Sequence, residues 1–262
     1  MANKKTRYKP VVLSIAGYDP SSGAGITADI KTIGAHGCYG ISCITALTVQ
    51  STRGVLRVDP IEGRIITETL EELAADFDIA AVKIGMLGSA EVARAVAAFL
   101  KRHQPTQVVL DPILKSSSGA ELISKDGMEL LKSRLLAQAS VITPNIAEAA
   151  ALSGMEVSNR EEMERAALRL QQMGANGVII TGGHLSSPTD LILLRGQTAA
   201  VMEGGKIVTS STHGTGCAYS TSLACGLAKG KSIFNSATAA KRFVEAALHG
   251  PAGLGTGVGP VL

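Results

Sequence analysis

The stretch Val11-Val-Leu-Ser-Ile-Ala-Gly17 is a short apolar run, and Gly17-Tyr-Asp-Pro-Ser-Ser-Gly-Ala-Gly25 follows it directly. A short apolar run bounded by turn residues is typical of a buried strand. Gly, Pro, Asp and Ser are the residues that tight turns favour. We expect a helix that carries Asp29 to follow this turn. The chain therefore begins with a strand, a glycine-rich turn and a helix.

The same alternation of apolar runs and amphipathic segments continues along the chain. Further buried strands are predicted at residues 40–47, 80–85, 108–111, 140–143 and 178–181. Helices are predicted at residues 89–103, 161–173, 215–229 and 232–248, the second of them opened by a capping box of Ser158 and Glu161. Strands that alternate with helices, and are apolar throughout, indicate a mostly parallel sheet with helices on both faces. Residues 190–194, 199–203 and 207–209 are predicted to form a short antiparallel edge.

The composition is that of a chain with a large buried core. Apolar residues make up 45% and charged residues 18% of the 262 residues, which excludes a disordered chain. Aromatic residues are only 3% and the net charge is +3, so neither base stacking nor a phosphate-backbone footprint is indicated. We expect residues 1–10 to be a flexible tail and residues 11–262 to form one domain.

The distribution of apolar and cysteine residues bears on location. No run reaches the roughly 18 apolar residues that a membrane span needs, and residues 11–17 are too short for a signal peptide. The four cysteines, at positions 38, 43, 217 and 225, form no C-x-x-C pair, so structural zinc is not indicated. We therefore expect a soluble cytoplasmic protein with reduced thiols.

Ligands of open parallel sheets bind beyond the carboxyl ends of the strands. The glycine-rich turn after the first strand is one candidate site, because it lets backbone approach a ligand closely. Neither a dinucleotide fingerprint nor a P-loop fits its spacing. The alternative is a plain turn, with Asp29 as a solvated residue of the following helix.

Two carboxylates follow later strands. Asp111 ends the strand at 108–111, and Glu148 stands three residues after Asn145. Both could serve Mg²⁺, which prefers hard oxygen ligands. The alternative is capping, since Asn145 is a good N-cap and Glu148 its reciprocal partner. Both interpretations stay open from the sequence.

The motif Thr181-Gly-Gly-His184 also follows a predicted strand. Two glycines allow a nucleotide to lie against the backbone there. The alternative is an ordinary loop in which His184 has no special task.

The strongest motif is Thr212-His-Gly-Thr-Gly-Cys217, directly before a long helix. Small residues at a helix N-terminus leave backbone N–H groups free to bind an anion such as a phosphate. We expect the helix dipole to lower the pKa of the Cys217 thiol below about 8.5. Such a thiolate could accept a proton or act as a nucleophile. The alternative is a small buried apolar residue, as we expect for Cys225.

The chain contains several further blocks in a fixed order. They are Ser14-Ile-Ala-Gly-Tyr-Asp-Pro-Ser-Ser-Gly-Ala-Gly-Ile-Thr-Ala-Asp-Ile-Lys31, Ile44-Thr-Ala-Leu-Thr-Val-Gln50, Lys83-Ile-Gly-Met-Leu87, Val109-Leu-Asp-Pro112, Ile142-Thr-Pro-Asn-Ile-Ala-Glu-Ala149, Gly182-Gly-His184, His213-Gly-Thr-Gly-Cys217 and Gly257-Val-Gly-Pro260. In these blocks, from about residue 11 to 260, the chain resembles the hydroxymethylpyrimidine/phosphomethylpyrimidine kinases of thiamin biosynthesis.

The resemblance implies a ribokinase-like fold and transfer of the γ-phosphate of ATP to a pyrimidine alcohol and then to its monophosphate. It implies Cys217 as a base beside an anion hole of Gly214, Thr215 and Gly216. It places Asp111 and Glu148 at Mg²⁺, and it leaves a monovalent cation open. It assigns the pyrimidine to Gln50, Asp29, Met86, Gly17 and Ile113, and the nucleotide to Asn145, Thr181, Gly182 and Gly183. It further implies a homo-oligomer, most simply a dimer.

Three positions depart from the family pattern. Thr181 and Ser117 stand where the family usually has lysine, so two phosphate-facing charges are expected to be missing. Lys115 is a candidate substitute. Tyr18 stands where a small hydroxyl residue is usual. These departures bear on ATP affinity and on the second phosphorylation.

Three other functions stay open from the sequence. One is a pyridoxal kinase on the same scaffold. Another is a pyrimidine-binding protein without catalysis, motivated by the two absent lysines. A third is a hydrolase with Cys217 as nucleophile, for which His213 would have to turn back across its loop.

Overall fold

The apolar runs become the strands of one sheet. A computed structural model describes residues 9–116, 119–183, 188–250 and 253–262, so most of the predicted tail lies outside the described residues. The strands within them are β1 (Val11–Tyr18), β2 (Tyr39–Ser51), β3 (Gly54–Pro60), β4 (Ile79–Ile84), β5 (Val108–Leu110), β6 (Val141–Ile142), β7 (Gly177–Ile180), β8 (Thr189–Leu194) and β9 (Ala200–Glu203). Their order in the sheet is β3-β2-β1-β4-β5-β6-β7-β8-β9.

Helices cover both faces of this sheet. They are α1 (Gly25–Ala35), α2 (Gly63–Asp76), α3 (Ala90–His103), α4 (Lys125–Leu130), α5 (Ile146–Ser153), α6 (Arg160–Gln172), α7 (Thr215–Ala228) and α8 (Ile233–Leu248). A π turn (Leu131–Leu135) and a 3-10 turn (Leu136–Gln138) continue α4. Among the described residues, no helix combines the length and apolar character needed to cross a membrane.

Alternate residues of each central strand serve two separate cores. Leu13 and Ile15 of β1 pack with residues of α2, α3, α5 and α6 on one face. Val12 packs with residues of α1, α7 and α8 on the other. Successive side chains of a strand point to opposite faces, so a strand buried on both sides must be apolar throughout. The predicted α/β class with helices on both faces is confirmed.

Antiparallel pairing occurs at both edges of the sheet rather than at one. Strands β1, β2 and β4 to β7 pair in parallel, whereas β2–β3, β7–β8 and β8–β9 pair antiparallel. Strand β3 and helix α2 were not predicted, because β3 is largely exposed and shows no clear apolar alternation. The predicted strand at residues 207–209 is wrong. Its Val208 is 93% exposed, so the run buries no face against the sheet.

The cap of α6 lies one residue later than predicted. Asn159 is the N-cap, and its side chain accepts a hydrogen bond from the backbone N–H of Glu162. The Glu162 carboxylate accepts hydrogen bonds from the backbone and hydroxyl of Ser158. The expected pair of Ser158 and Glu161 is therefore wrong, because Asn is at least as good an N-cap as Ser and stands next to it.

Two helical glycines differ sharply in the space around them, and this generates a test of the packing between α7 and α8. A Cβ on Gly226 would lie 2.7 Å from the Cβ of Ser236, whereas a Cβ on Gly34 would have no neighbour within 4 Å. We expect Gly226→Ala to lower the free energy of unfolding by about 1–3 kcal/mol through overpacking. Gly34→Ala is the matched control and should raise it by up to about 1 kcal/mol. Urea unfolding of both variants checks the pair; equal effects would contradict the close approach of these helices.

Candidate active site

The carboxyl ends of the central parallel strands bring the sequence motifs to one edge of the sheet. The glycine-rich turn follows β1, Met86 follows β4 and Asp111 follows β5. Asn145 follows β6 and Thr181 follows β7, and these two residues form an isolated bridge. Helix α7 begins in the same region, because its residue Ser220 donates a hydrogen bond to Asp111 at 2.9 Å.

Two glycine-rich loops lie backbone to backbone at this edge. Gly214 has φ +85°, and a Cβ there would overlap the carbonyl oxygen of Gly23. Gly25 has φ +59°, and a Cβ there would overlap the carbonyl oxygen of Gly17. Positive φ and such close contact both require glycine. The turn after β1 therefore supports the loop that opens α7.

Asp19 joins the same two loops through its carboxylate. It accepts hydrogen bonds from the backbone and hydroxyl of Ser21 and from the backbone of Ala24, at 2.7–2.9 Å. Its Oδ2 also lies 2.8 Å from Nε2 of His213. Burial raises the pKa of Asp19, but the bonds from His213 and Ser21 outweigh burial and hold it below its usual value. Asp19 is therefore ionised at neutral pH.

His213 accordingly turns toward the first loop. Nε2 of its ring contacts Asp19 and the amide of Gln50. The hydrolase interpretation needed this ring to activate Cys217, whereas this ring nitrogen is engaged by Asp19. The arrangement gives that interpretation no support.

Asp29 is fully buried and holds a polar network beneath the loops. Nζ of Lys83 lies 2.9 and 3.1 Å from its two oxygens, and both side chains are 0% exposed. The hydroxyls of Ser14 and Thr221 donate to the same carboxylate at 2.5 and 2.7 Å. The solvated alternative for Asp29 is therefore wrong.

Lys83 remains charged in spite of its burial. Burial lowers the pKa of the ammonium, but the nearby Asp29 raises it, with smaller contributions from Cys217 and Asp111, so that it lies above its usual value. One buried cation thus interacts with the acidic groups of Asp29, Cys217 and Asp111. The sequence does contain a signal for this pair: Lys83 is the charged residue of an otherwise apolar strand, and a charge buried in such a strand requires a partner of opposite charge.

The thiol of Cys217 is protonated in this environment. Its side chain is buried on the first turn of α7, and burial raises its pKa to about 12, although Lys83 acts in the opposite direction. The expectation of a pKa below about 8.5 is therefore wrong. The desolvation of a buried anion outweighs the favourable helix terminus here.

Asp111 and Glu148 are both buried and interact electrostatically. Burial raises the pKa of Asp111. Burial, and then the charge of Asp111, raise the pKa of Glu148 to about 8. Glu148 also forms the predicted capping box with Asn145, with both hydrogen bonds at 2.9 Å. The cap and the paired carboxylates therefore coexist.

This pair of carboxylates fits a divalent cation. Neither forms an ion pair within the described ranges, and their mutual repulsion is what a cation would relieve. Mg²⁺ keeps several waters and often takes only one or two protein carboxylates. Among the residues that the structure describes, there is no cluster of three or more His, Cys, Asp or Glu side chains that could by themselves enclose a metal ion.

The residues expected to line a pyrimidine pocket lie close together. A Cβ on Gly17 would lie 2.8 Å from Sδ of Met86, and Met86 and Ile113 belong to one small apolar cluster. Gln50 approaches from β2 through its contact with His213. Asp29 lies below this group with no exposed surface, so its contact with a substrate stays a prediction.

The residues expected to bind a nucleotide surround the ends of β6 and β7. The backbone N–H of Thr181 donates to Pro144, and that of Gly182 donates to the Asp190 carboxylate at 3.1 Å. Asp190 in turn pairs with Lys241 of α8 at 2.8 Å. Asp190 and Lys241 were missed, since no motif marks them. Gly183 is exposed.

Two predicted positions, His184 and Ser117, lie outside the described residues. Lys115, the candidate substitute for an absent lysine, pairs with Glu121 at 2.8 Å, and both side chains are exposed. Tyr18 is half-buried, and its carbonyl accepts a hydrogen bond from Thr48.

The open, mostly parallel sheet with helices on both faces and antiparallel edge strands is the architecture of the ribokinase-like kinases. The sequence profile of the phosphomethylpyrimidine kinase family matches residues 19–262. The hydroxymethylpyrimidine/phosphomethylpyrimidine kinase of Haemophilus influenzae is 42% identical over 254 residues, covering 95% of this chain and 94% of that protein.

Two other relatives extend the comparison. A bifunctional thiamine biosynthesis protein of Geobacter sulfurreducens is 40% identical, covering 95% of this chain and 51% of that protein. The structure of a Bacillus subtilis pyridoxal kinase in complex with ADP superposes with a TM-score of 0.88 at 34% identity, covering 96% of each chain. The chain belongs to the phosphomethylpyrimidine kinase family and is a phosphotransferase.

The buried ion pair generates a stability test. Lys83→Met leaves the Asp29 charge buried without its partner, and we expect it to cost about 3–5 kcal/mol of unfolding free energy. Adding Asp29→Asn removes that charge while keeping an acceptor for Ser14 and Thr221, so the double variant should recover most of the loss. Chemical denaturation of the single and double variants measures both. Additive losses would contradict the coupling.

The pKa of Glu148 generates a pH test. A carboxyl whose pKa is raised to about 8 on folding, from an ordinary 4.5, binds its proton more tightly in the folded chain. Its contribution to stability is therefore present below about pH 4.5 and is lost as the pH rises toward 8, by up to about 1.4 kcal/mol per pH unit. Glu148→Gln should flatten this decline in unfolding free energy, and Mg²⁺ should oppose it at pH 8. A decline that is identical in Glu148→Gln would contradict this assignment.

Proposed function

We propose that this kinase transfers the γ-phosphate of ATP to 4-amino-5-hydroxymethyl-2-methylpyrimidine and then to its monophosphate, in thiamin biosynthesis. The single observation that carries this is the closeness of Asp111 to Gly216, in the loop that opens α7. Oδ2 of Asp111 lies 4.0 Å from where a Cβ of Gly216 would stand. A phosphate held by the loop would therefore lie next to a cation held by the carboxylates.

The proposed roles of the residues in this region follow from their chemistry. The backbone N–H groups of Gly214, Thr215 and Gly216 would receive the transferred phosphoryl group at the positive end of α7. Asp111 and Glu148 would hold Mg²⁺, which neutralises phosphate charge when bound. Phosphoryl transfer depends mainly on positioning and charge stabilisation, which these groups supply.

The acceptor would lie in the pocket formed by Gly17, Met86, Ile113 and Gln50. The thioether and the isoleucine offer an apolar wall for a flat ring, and the amide offers one donor and one acceptor to its edge. Asp29 would act indirectly, by holding Lys83 and Ser14 of β1 in place.

The nucleotide would lie along Asn145, Thr181, Gly182 and Gly183. The exposed Gly183 leaves backbone accessible to a ligand. The similarity to the ADP complex of the Bacillus subtilis pyridoxal kinase supports adenine nucleotide binding by this chain. Since Thr181 supplies no charge, ATP affinity should be lower than with a lysine at this position.

A pyridoxal kinase is the second candidate, because the structural match to the Bacillus subtilis pyridoxal kinase is close. The family profile and the curated relatives favour the pyrimidine. A cytoplasmic location and a homodimer stay predictions.

The direct test of the proposal offers ATP and Mg²⁺ with three separate acceptors: hydroxymethylpyrimidine, its monophosphate and pyridoxal. ADP release and product masses are the readouts. Turnover of both pyrimidines is expected. Turnover of pyridoxal alone would replace the proposal by the second candidate, and pyrimidine binding without any turnover would indicate a non-catalytic protein.

The proposed base generates a separate prediction. Cys217 can accept the hydroxyl proton only as a thiolate. Because its pKa is about 12, the thiolate would form only where added positive charge lowers that pKa. We expect Cys217→Ser to lower kcat roughly 10²–10⁴-fold with little change in the KM for ATP. Steady-state kinetics with a circular dichroism control for folding measures this. Full turnover by Cys217→Ser would exclude the base role.

A further inference from the structure

One ring nitrogen of His213 links Asp19 to Gln50. Nε2 of His213 lies 2.8 Å from Oδ2 of Asp19 and 3.2 Å from Nε2 of Gln50. The other end of the amide, Oε1 of Gln50, lies 3.2 Å from the hydroxyl of Thr48. All four side chains are buried or half-buried, so their polar atoms depend largely on one another for hydrogen bonds.

The Asp19 contact decides where the histidine proton sits. Asp19 is an ionised carboxylate that already accepts three hydrogen bonds from Ser21 and Ala24, and it can only accept. The ring nitrogen facing it at 2.8 Å therefore carries hydrogen. A protonated ring nitrogen has no lone pair in the ring plane to offer, so it cannot accept from the amide nitrogen of Gln50.

The Thr48 contact leads to the same conclusion from the other end of the amide. A hydroxyl has one hydrogen, and Thr48 donates it to the carbonyl of Tyr18 at 2.8 Å. Toward Gln50 the Thr48 oxygen can therefore only accept a hydrogen bond, and the amide oxygen of Gln50 has no hydrogen to donate. A half-turn about the Cγ–Cδ bond of Gln50 exchanges oxygen and nitrogen. The Thr48 contact then becomes a hydrogen bond, and the single Nε2–H of His213 is shared between Asp19 and the amide oxygen of Gln50.

We infer that Asp19, His213 and Thr48 lock the Gln50 amide with Oε1 toward His213 and Nε2 toward Thr48, and that this lock selects the ring edge of the substrate. The ring must present a donor on the His213 side and an acceptor on the Thr48 side. This inference rests on the proposed function, because it specifies how the same pocket distinguishes one pyrimidine from another.

The acceptor and donor positions of the locked amide match the edge of a 4-aminopyrimidine. The hydroxymethyl group must face the loop that opens α7, and His213 belongs to that loop. The 4-amino group, on the neighbouring ring carbon, would then donate to Oε1, and the next ring nitrogen would accept from Nε2. A 4-oxo ring reverses both polarities. Sites that leave buried polar groups unpaired reject the wrong ligand strongly.

The C-terminal segment holds His213 in the position that the lock requires. The backbone N–H of His213 donates to Gly259 at 3.0 Å, and that of Val261 donates to the His213 carbonyl at 3.0 Å. On the other side, a Cβ at Gly23 would overlap the imidazole ring. The ring is therefore confined between the first loop and the tail.

The first experiment needs no substrate. Long-range ¹H–¹⁵N spectra of the full chain report which imidazole nitrogens are protonated, and His213→Gln assigns the His213 signals. We expect Nε2 of His213 to carry a proton at pH 7. An unprotonated Nε2 would overturn the inference, whatever the substrate of the enzyme.

The second experiment measures discrimination between hydroxymethylpyrimidine and its 4-oxo analogue as a ratio of kcat/KM values. Thr48→Val removes the acceptor for Nε2, and we expect the ratio to fall about fivefold, the equivalent of one hydrogen bond. Thr48→Ser keeps the hydroxyl and is the matched control, which should retain the wild-type ratio. His213→Leu removes the other contact and should lower the ratio similarly.

The outcomes separate the inference from the proposed function. Turnover of the amino substrate with an unchanged ratio in both Thr48→Val and His213→Leu would overturn the lock. Absence of turnover and of calorimetric binding for both pyrimidines would instead refute the proposed function, and the state of the His213 nitrogen would still decide whether the amide is locked.

Discussion

The pair of Lys83 and Asp29 is the constraint on which the rest of the site depends. Both side chains are 0% exposed, so each charge is tolerable only because the other lies about 3 Å away. Lys83 belongs to β4 and Asp29 to α1, and Ser14 of β1 and Thr221 of α7 complete the network. Two strands and two helices are thus joined at one point beneath the loops.

The charge of Lys83 also sets the electrostatics above it. It favours the anionic forms of Asp111 and Cys217, while burial disfavours them. Burial prevails for the thiol, whose pKa is about 12, and for both carboxylates. The site therefore collects acidic groups that lack sufficient positive charge. A divalent cation bound by Asp111 and Glu148, as proposed, would change the protonation of several of these groups together.

The two glycine-rich loops are joined both by close backbone contacts and by one pair of side chains. Gly214 lies against the carbonyl of Gly23 in the other loop, and Gly25 lies against the carbonyl of Gly17 in its own loop. Neither position leaves room for a Cβ. Asp19 and His213, 194 positions apart, close the same contact with side chains. As a result the loop that opens α7, the turn after β1 and the amide of Gln50 form one polar unit.

The amino-acid sequence was sufficient to predict the α/β class, the central strands and the turns at the strand ends where the candidate site residues lie. Apolar runs bounded by turn residues carry that information locally, and Asn145 and Glu148 cap α5 as their spacing required. The exposed strand β3 and the cap shift at Asn159 escaped prediction, since an edge strand has no buried face and neighbouring polar residues compete as caps. The partners of Asp29 and His213 and the raised pKa of Cys217 became visible only in the folded chain. Burial and pairing arise between segments far apart in the chain, and no local pattern encodes them.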